Sequence, residues 1–312
     1  MSELRKDYLL DHYVIINEKR SLRPSDFSRA PIVKAKVDFF APGNEHLTPE
    51  EIGRISKGKS WQMRWFENKF PILDMQKHPL HSHRLYREIA LQGHHEILVE
   101  TPSETEQLSS FSEKRLTEVL QQYKKRMVAI QKKKGIKYVV LFKNEGKEAG
   151  ASLAHSHTQI IGMTRIPQLV EDKAREVKKY KKCPYCVIAK RESKSTRAIF
   201  SNKQFCVFAP YASRVPWEAW IMPRTHKTSL SKMTSSNLGS LAEAMHVILS
   251  KLHKADIPFN FIFFYGTKGA NIHFHIEFLP RTTTPAGFEF GTNYLVNPVA
   301  PESAAKFYRG ER

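Results

Sequence analysis

Three places in the chain set reactive side chains at spacings that chemistry can use. The first is His155-Ser156-His157-Thr158-Gln159. Residues two apart on a strand share a face, so a strand here presents His155, His157 and Gln159 together and turns Ser156 and Thr158 away. Imidazole is a good nucleophile toward phosphorus near neutral pH when one ring nitrogen is free and the other is held by an acceptor. The Gln159 amide and the backbone amides of the glycine-containing loop 144–150 are candidate donors for the charge that builds on phosphorus oxygens. The second place is His273-x-His275, followed by Glu277 where the first has Gln159. A carboxylate there repels an incoming diphosphate, so this pair is expected to be structural or metal-linked. The third is Cys183-Pro184-Tyr185-Cys186, a spacing typical of zinc, which His226 and His273 would complete as a tetrahedral Cys₂His₂ site.

The elements that must position these groups repeat once within the chain. Residues 112–134 carry Leu116, Val119, Leu120, Tyr123, Met127 and Ile130 at helical spacing and stop at Gly135. A strand over 137–142, the glycine loop and a strand over 152–161 bearing the first histidine pair follow. The second half runs in the same order: a helix over 236–253, a strand over 259–265, a loop over 266–270, and a strand over 272–279 bearing the second pair. Short strands are also expected at 13–16, 96–100, 198–200, 205–208 and 219–222. The pattern predicts an α+β fold with a largely antiparallel sheet in each half. The basic stretch 170–182 is the expected boundary, giving domains of residues 1–175 and 176–312.

The 312 residues suffice for a sizeable core. No apolar run is long enough to cross a membrane, the N-terminus shows no secretion signal, and three cysteines do not make a disulfide framework. A cytoplasmic setting is expected. The net charge of +19 calls for anionic partners, and phosphorylated small molecules meet that demand. Nucleic acid is not expected, because no ordered basic and aromatic motif of an RNA or DNA reader is present.

The segment Gly150-Ala151-Ser152-Leu153-Ala154-His155-Ser156-His157-Thr158-Gln159 resembles the active-site segment of galactose-1-phosphate uridylyltransferases, a branch of the histidine-triad superfamily. Arg20-Ser21-Leu22-Arg23-Pro24, Pro42-Gly43-Asn44-Glu45, Asn68-Lys69-Phe70-Pro71, the stretch from His95 to Pro102 and the stretch from Thr284 to Thr292 resemble further family motifs in the family's order. The resemblance implies two tandem histidine-triad-like domains. It also implies ping-pong transfer: His157 takes a uridylyl group from UDP-glucose and passes it to a hexose-1-phosphate. By position, Gln159 would hold the phosphoryl oxygens beside His155. Arg20, Arg23, Asn144 and Ser152 would bind phosphates, Asn68 the nucleoside, and Phe288 and Glu289 the sugar. Family members are commonly homodimers. Many carry a first-half metal site whose cysteines fall here on Asp38 and Ala41 and whose further ligand falls near Glu104. Only His155 persists, so zinc is expected in the second half alone. Three other readings are a nucleotidyl phosphorylase acting on ADP-sugars or diadenosine polyphosphates, a nucleic-acid-associated member of the superfamily, and a scaffold that keeps the fold without catalysis.

Overall fold

The computed structural model describes residues 2–22, 37–58, 60–76, 80–81, 83–268 and 270–311. In chain order its strands are β1 (Glu3–Lys6), β2 (Tyr13–Ile16), β3 (Glu51–Lys57), β4 (Ser60–Glu67), β5 (Gly93–Val99), β6 (Tyr138–Glu145) and β7 (His157–Met163). The second half adds β8 (Ala198–Ser201), β9 (Phe205–Phe208), β10 (Ala219–Pro223), β11 (Phe259–Phe264), β12 (His275–Pro280) and β13 (Leu295–Asn297). Ten of these strands form one sheet in the order β3-β4-β5-β7-β6-β11-β12-β10-β9-β8, antiparallel at every junction. The order reads the same outward from the β6–β11 seam in each half, as the repeat in the sequence requires. At the seam Asn260 pairs with Asn144, and its side-chain Nδ2 donates to Asn144 Oδ1 at 2.8 Å. The small sheet β1-β2-β13 joins the chain's two ends.

Helix α1 (Glu113–Gln131) starts where Ser112 accepts from the Arg115 amide. Its buried face consists of the apolar residues that recur at helical spacing. The 170–182 stretch overlaps α2 (Gln168–Val177), which buries Lys173, and α3 (Pro184–Glu192) follows. Helix α4 (Ser235–Lys254), closed by a capping box at Thr234, packs along α1, and His246 Nδ1 donates to the Phe111 carbonyl at 3.1 Å. Two short helices, α5 (Gly287–Thr292) and α6 (Pro301–Arg309), complete the chain.

Both histidine-bearing strands start later than periodicity suggests. β7 begins at His157 and β12 at His275, so His155 and His273 precede the ladder. Gly150, at φ 82°, and the bends at 152–155 bring the chain in at an angle that the alternating pattern does not encode. No helix among the described residues is long and apolar enough to cross a membrane.

Beneath the start of β7 lies a buried polar network. Glu100, which ends the apolar run of β5, and Lys143 on β6 are both fully buried, 2.8 Å apart. Lys143 Nζ also donates to Ser156 Oγ at 2.9 Å and to the His157 carbonyl at 3.0 Å. The two Glu100 oxygens further accept from Ser156 Oγ at 2.6 Å, Thr158 Oγ1 at 2.5 Å and Tyr123 on α1 at 2.5 Å. Burial pushes the Glu100 carboxyl up, but the Lys143 ammonium and the hydroxyl donors outweigh it and hold the group below its ordinary value. Lys143→Met leaves a buried carboxylate without its cation. We expect it to lower unfolding free energy by about 3–5 kcal/mol in urea denaturation. A loss below about 1 kcal/mol would show that the pair is not what fixes this strand.

Candidate active site

The network sets what the opposite face of the strand can do. With Ser156 and Thr158 held below, His157 turns to the other side, where Phe40 packs edge-on against its ring at 5.3 Å between centroids. The His157 ring is 5% exposed. Its Nδ1 donates to the His155 carbonyl at 2.9 Å, which fixes the tautomer and leaves the lone pair on Nε2. Nε2 has no hydrogen-bond partner among the described residues. Burial first, and the Lys143 ammonium second, push the imidazole down to about 4, so the ring is neutral at physiological pH. A neutral imidazole with a free, oriented lone pair is chemically a nucleophile.

Gln159 is oriented by a second histidine. The Ile72 amide donates to His95 Nδ1 at 3.1 Å, so the proton of that ring sits on Nε2, which donates to Gln159 Oε1 at 2.9 Å. The carboxamide is thereby fixed with its NH₂ free to donate. Asn68 closes the group. Its backbone amide donates to the His95 carbonyl at 2.7 Å, and its Nδ2 lies 3.2 Å from His95 Nε2. His157, Gln159 and Asn68 thus form one constellation, with His95 as the member that the sequence did not single out.

His155 has a different environment. Its Nδ1 faces Asp38 Oδ2 and its Nε2 faces the Thr101 carbonyl, each at 2.7 Å. Asp38, Glu104, Ser152 and His155 line a cavity of about 550 Å³ that reaches across to His253 of the second half. Asn144 faces the seam rather than open space: Oδ1 accepts from Asn260, and Nδ2 lies 3.5 Å from the Gly150 carbonyl. The glycine loop differs from the expectation of a bed of free amides. Ala149 and Ala151 donate to the Gly146 carbonyl and Gly150 to that of Lys147, so these three amides are spent within the turn.

Three candidate residues sit on other elements. Arg20 sits on the short 3-10 helix Glu18–Leu22 after β2, and Phe288 and Glu289 sit on α5, beside the small sheet. Glu289 accepts from the Ala286 amide at 2.9 Å and caps its own helix, while Phe288 is half exposed. Arg23 lies outside the described residues.

The second half repeats the backbone arrangement with different chemistry. His275 Nδ1 donates to the His273 carbonyl at 2.9 Å, as His157 does to His155. Here, however, Nε2 is blocked: Lys173 Nζ lies 3.0 Å away and Glu277 Oε1 3.2 Å away. Despite its burial, Glu277 is held well below the ordinary carboxylate range by Arg214 and Lys173. Cys183, Cys186, His226 and His273 converge, with their donor atoms all within 4.8 Å of one another. Cys186 Sγ is 3.5 Å from both His226 Nδ1 and His273 Nδ1. Ligands of a tetrahedral zinc stand roughly 3.5 Å apart, given Zn–S and Zn–N bonds of about 2.3 and 2.0 Å. His273 Nε2 donates to the Pro223 carbonyl at 3.2 Å, which aims Nδ1 at the thiols, and burial pushes its imidazole down to about 3. The donor set therefore fits a metal ion; among the described residues no second group of three or more such donors gathers as closely.

Comparison with known proteins places this architecture. The model of the family "Galactose-1-phosphate uridyl transferase, N-terminal domain" matches residues 1–167, and a domain of unknown function matches residues 97–306. The chain is 29% identical to an ADP-glucose phosphorylase of Arabidopsis thaliana over 98% of this chain and 92% of that protein. It is 27% identical to a galactose-1-phosphate uridylyltransferase of Thermotoga maritima over 99% and 98% of the two chains. The crystal structure of an ADP-glucose phosphorylase from Arabidopsis thaliana with bound ADP-glucose shares the fold at a TM-score of 0.83 and 29% identity, covering 100% of this chain and 99% of that one. A uridylyltransferase structure at 23% identity shares it at a TM-score of 0.77, covering 99% and 98%. With one family model spanning more than half its length, the chain belongs to the galactose-1-phosphate uridyl transferase family and is a nucleotidyl-transferring enzyme of that fold.

Proposed function

We propose that this protein moves a nucleotidyl group from a nucleoside diphosphate sugar to a phosphate-bearing acceptor through a covalent bond to His157. The observation that carries the reading is the His157 ring, neutral, tautomer-fixed and, among the described residues, without a partner at Nε2. In the first step the Nε2 lone pair attacks the α-phosphorus. The bond to the bridging oxygen breaks, and the sugar-1-phosphate leaves with that electron pair. The Nδ1 proton stays on the ring and bonds the His155 carbonyl more strongly as positive charge develops. Gln159 donates to the phosphoryl oxygens. In the second step an acceptor phosphate oxygen attacks the phosphoramidate, and the imidazole leaves neutral.

UDP-glucose as donor and a hexose-1-phosphate as acceptor, a reaction of galactose metabolism, is the reading that the motif order supports. A second reading, ADP-glucose with orthophosphate as acceptor, is favoured by the similarity to the Arabidopsis thaliana phosphorylase. Arg20 and Arg23 are proposed to meet the diphosphate, and Phe288 and Glu289 the sugar. A homodimer, as the family resemblance implies, is proposed to let Phe288 and Glu289 serve the partner's site. Zinc is the metal proposed for Cys183, Cys186, His226 and His273. Its role is structural, holding α3 against the start of β12. None of the three cysteines is in a disulfide, which fits a cytoplasmic setting.

Intact-mass spectrometry after incubation with UDP-glucose and ADP-glucose separates the two donors: one nucleotidyl unit is gained from the true donor and none by His157→Ala. An unmodified wild-type chain with both donors would refute the covalent reading. The rate of adduct formation is expected to stay within about two-fold from pH 8 down to pH 5.5, because His157 is already deprotonated there. A fall centred near pH 6.5 would mean that the nucleophile titrates as an ordinary histidine. Stability has the opposite sensitivity. The unfolded imidazole binds a proton below about 6.5 and the folded one only below about 4, so stability is lost as pH falls through that window. His157→Gln is expected to flatten that part of the pH–stability curve measured by urea denaturation.

A further inference from the structure

The two histidine pairs are anchored in different ways. In the second half His273 points Nδ1 into the Cys183, Cys186 and His226 cluster, and its carbonyl receives the proton of His275. In the first half His155 occupies the corresponding place, and its carbonyl receives the proton of His157. No thiol is near it. Instead Asp38 Oδ2 lies 2.7 Å from His155 Nδ1, and the contact is largely buried, with side chains 1% and 14% exposed.

Asp38 does more than fill the gap. Its other carboxylate oxygen accepts from the Phe40 amide at 3.0 Å, and its carbonyl accepts from Asn44 Nδ2 at 2.7 Å. These bonds set the turn 38–44. The turn carries Phe40, whose ring stands edge-on to His155 at 6.1 Å and to His157 at 5.3 Å. One carboxylate therefore fixes the ring of His155, the seat of Phe40 and, through the His155 backbone, the acceptor that sets the tautomer of His157.

We propose that Asp38 is a positioning residue: an aspartate-built, metal-independent clamp that holds His155 and Phe40 so that His157 presents Nε2. The clamp replaces in this half the anchoring that a metal cluster gives in the other. The proposal rests on the reading of His157 as nucleophile. It adds that the active half works without a bound metal and that Asp38 acts on the nucleophile without touching substrate.

The test compares the wild-type chain with Asp38→Ala, Asp38→Asn and Asp38→Glu. Three quantities are measured: the single-turnover rate of nucleotidyl-His157 formation at saturating donor, zinc per chain, and the ¹⁵N tautomer signature of the histidines. Asp38→Ala is expected to slow adduct formation roughly 10–100-fold, the range typical when the partner that orients a working histidine is lost. Zinc stays at one per chain, the donor concentration for half-maximal rate moves less than about three-fold, and the fixed Nδ1–H signal of His157 is lost. Asp38→Glu, which keeps the carboxylate, is expected to recover part of the rate. Asp38→Asn, equal in shape, carries the comparison if the alanine variant does not fold. A rate within about two-fold of wild type in both variants would overturn the proposal. So would a wild-type chain that holds two metal ions and loses one on substitution of Asp38. If the wild-type chain forms no adduct at all, the nucleophile reading fails, and the His155 and His157 tautomer signals still decide whether Asp38 is the clamp.

Discussion

The pairing of Glu100 with Lys143 is the interaction on which the rest of the site depends. Two opposite charges buried together are costly unless every remaining lone pair and proton finds a partner. Here each does: Tyr123, Ser156 and Thr158 donate to Glu100, and Lys143 reaches Ser156 and the His157 carbonyl. A satisfied buried network is rigid, because moving any member strands another in a low-dielectric interior. That rigidity pins the first residues of β7 from below. The neighbouring ammonium also helps keep His157 unprotonated. The same pair thus orients His157, the proposed nucleophile, and keeps its lone pair available.

The second half shows what the frame becomes when its chemistry is altered. The histidine pair, the carbonyl that fixes the tautomer and the flanking strands are all present, yet Lys173 from α2 approaches His275 Nε2 and pairs with Glu277. Where the first half leaves His157 Nε2 without a partner among the described residues, the second buries an ion pair. Arg214 adds a second cation on Glu277 at 2.5 Å. The half that has lost its open nitrogen keeps the cysteine and histidine cluster, and the half that keeps the nitrogen is braced by Asp38.

Much of this was legible in the residues. The alternation of His155, His157 and Gln159 against Ser156 and Thr158 marked two faces, and Ser156 and Thr158 do turn to the buried network. The Cys-x-x-Cys with His226 and His273 pointed to a cluster that the fold brings together. The repeat of helix, strand, loop and strand anticipated the symmetry of the ten-stranded sheet. Other features depended on contacts distant in sequence. Glu100 and Lys143 are 43 residues apart, and nothing local says that they meet. The available signal was a single charge ending each of two apolar strands, at Leu98-Val99-Glu100 and Leu141-Phe142-Lys143. His95 acts through Gln159 across a strand pairing, and Asp38 through His155 across 117 positions. Lys173 lies in the basic stretch expected as a boundary, whereas on α2 it is buried while neighbouring lysines are exposed.

The central claim is that Nε2 of His157, and no other histidine nitrogen, carries the nucleotidyl group. Trapping the intermediate with ¹⁵N-labelled protein and reading the phosphorus–nitrogen coupling by NMR, with peptide mass spectrometry to name the residue, tests it most directly. The account predicts a phosphoramidate on His157 Nε2 in stoichiometric yield with the true donor. A label on His155 or His275, or attachment through Nδ1 of His157, would contradict it.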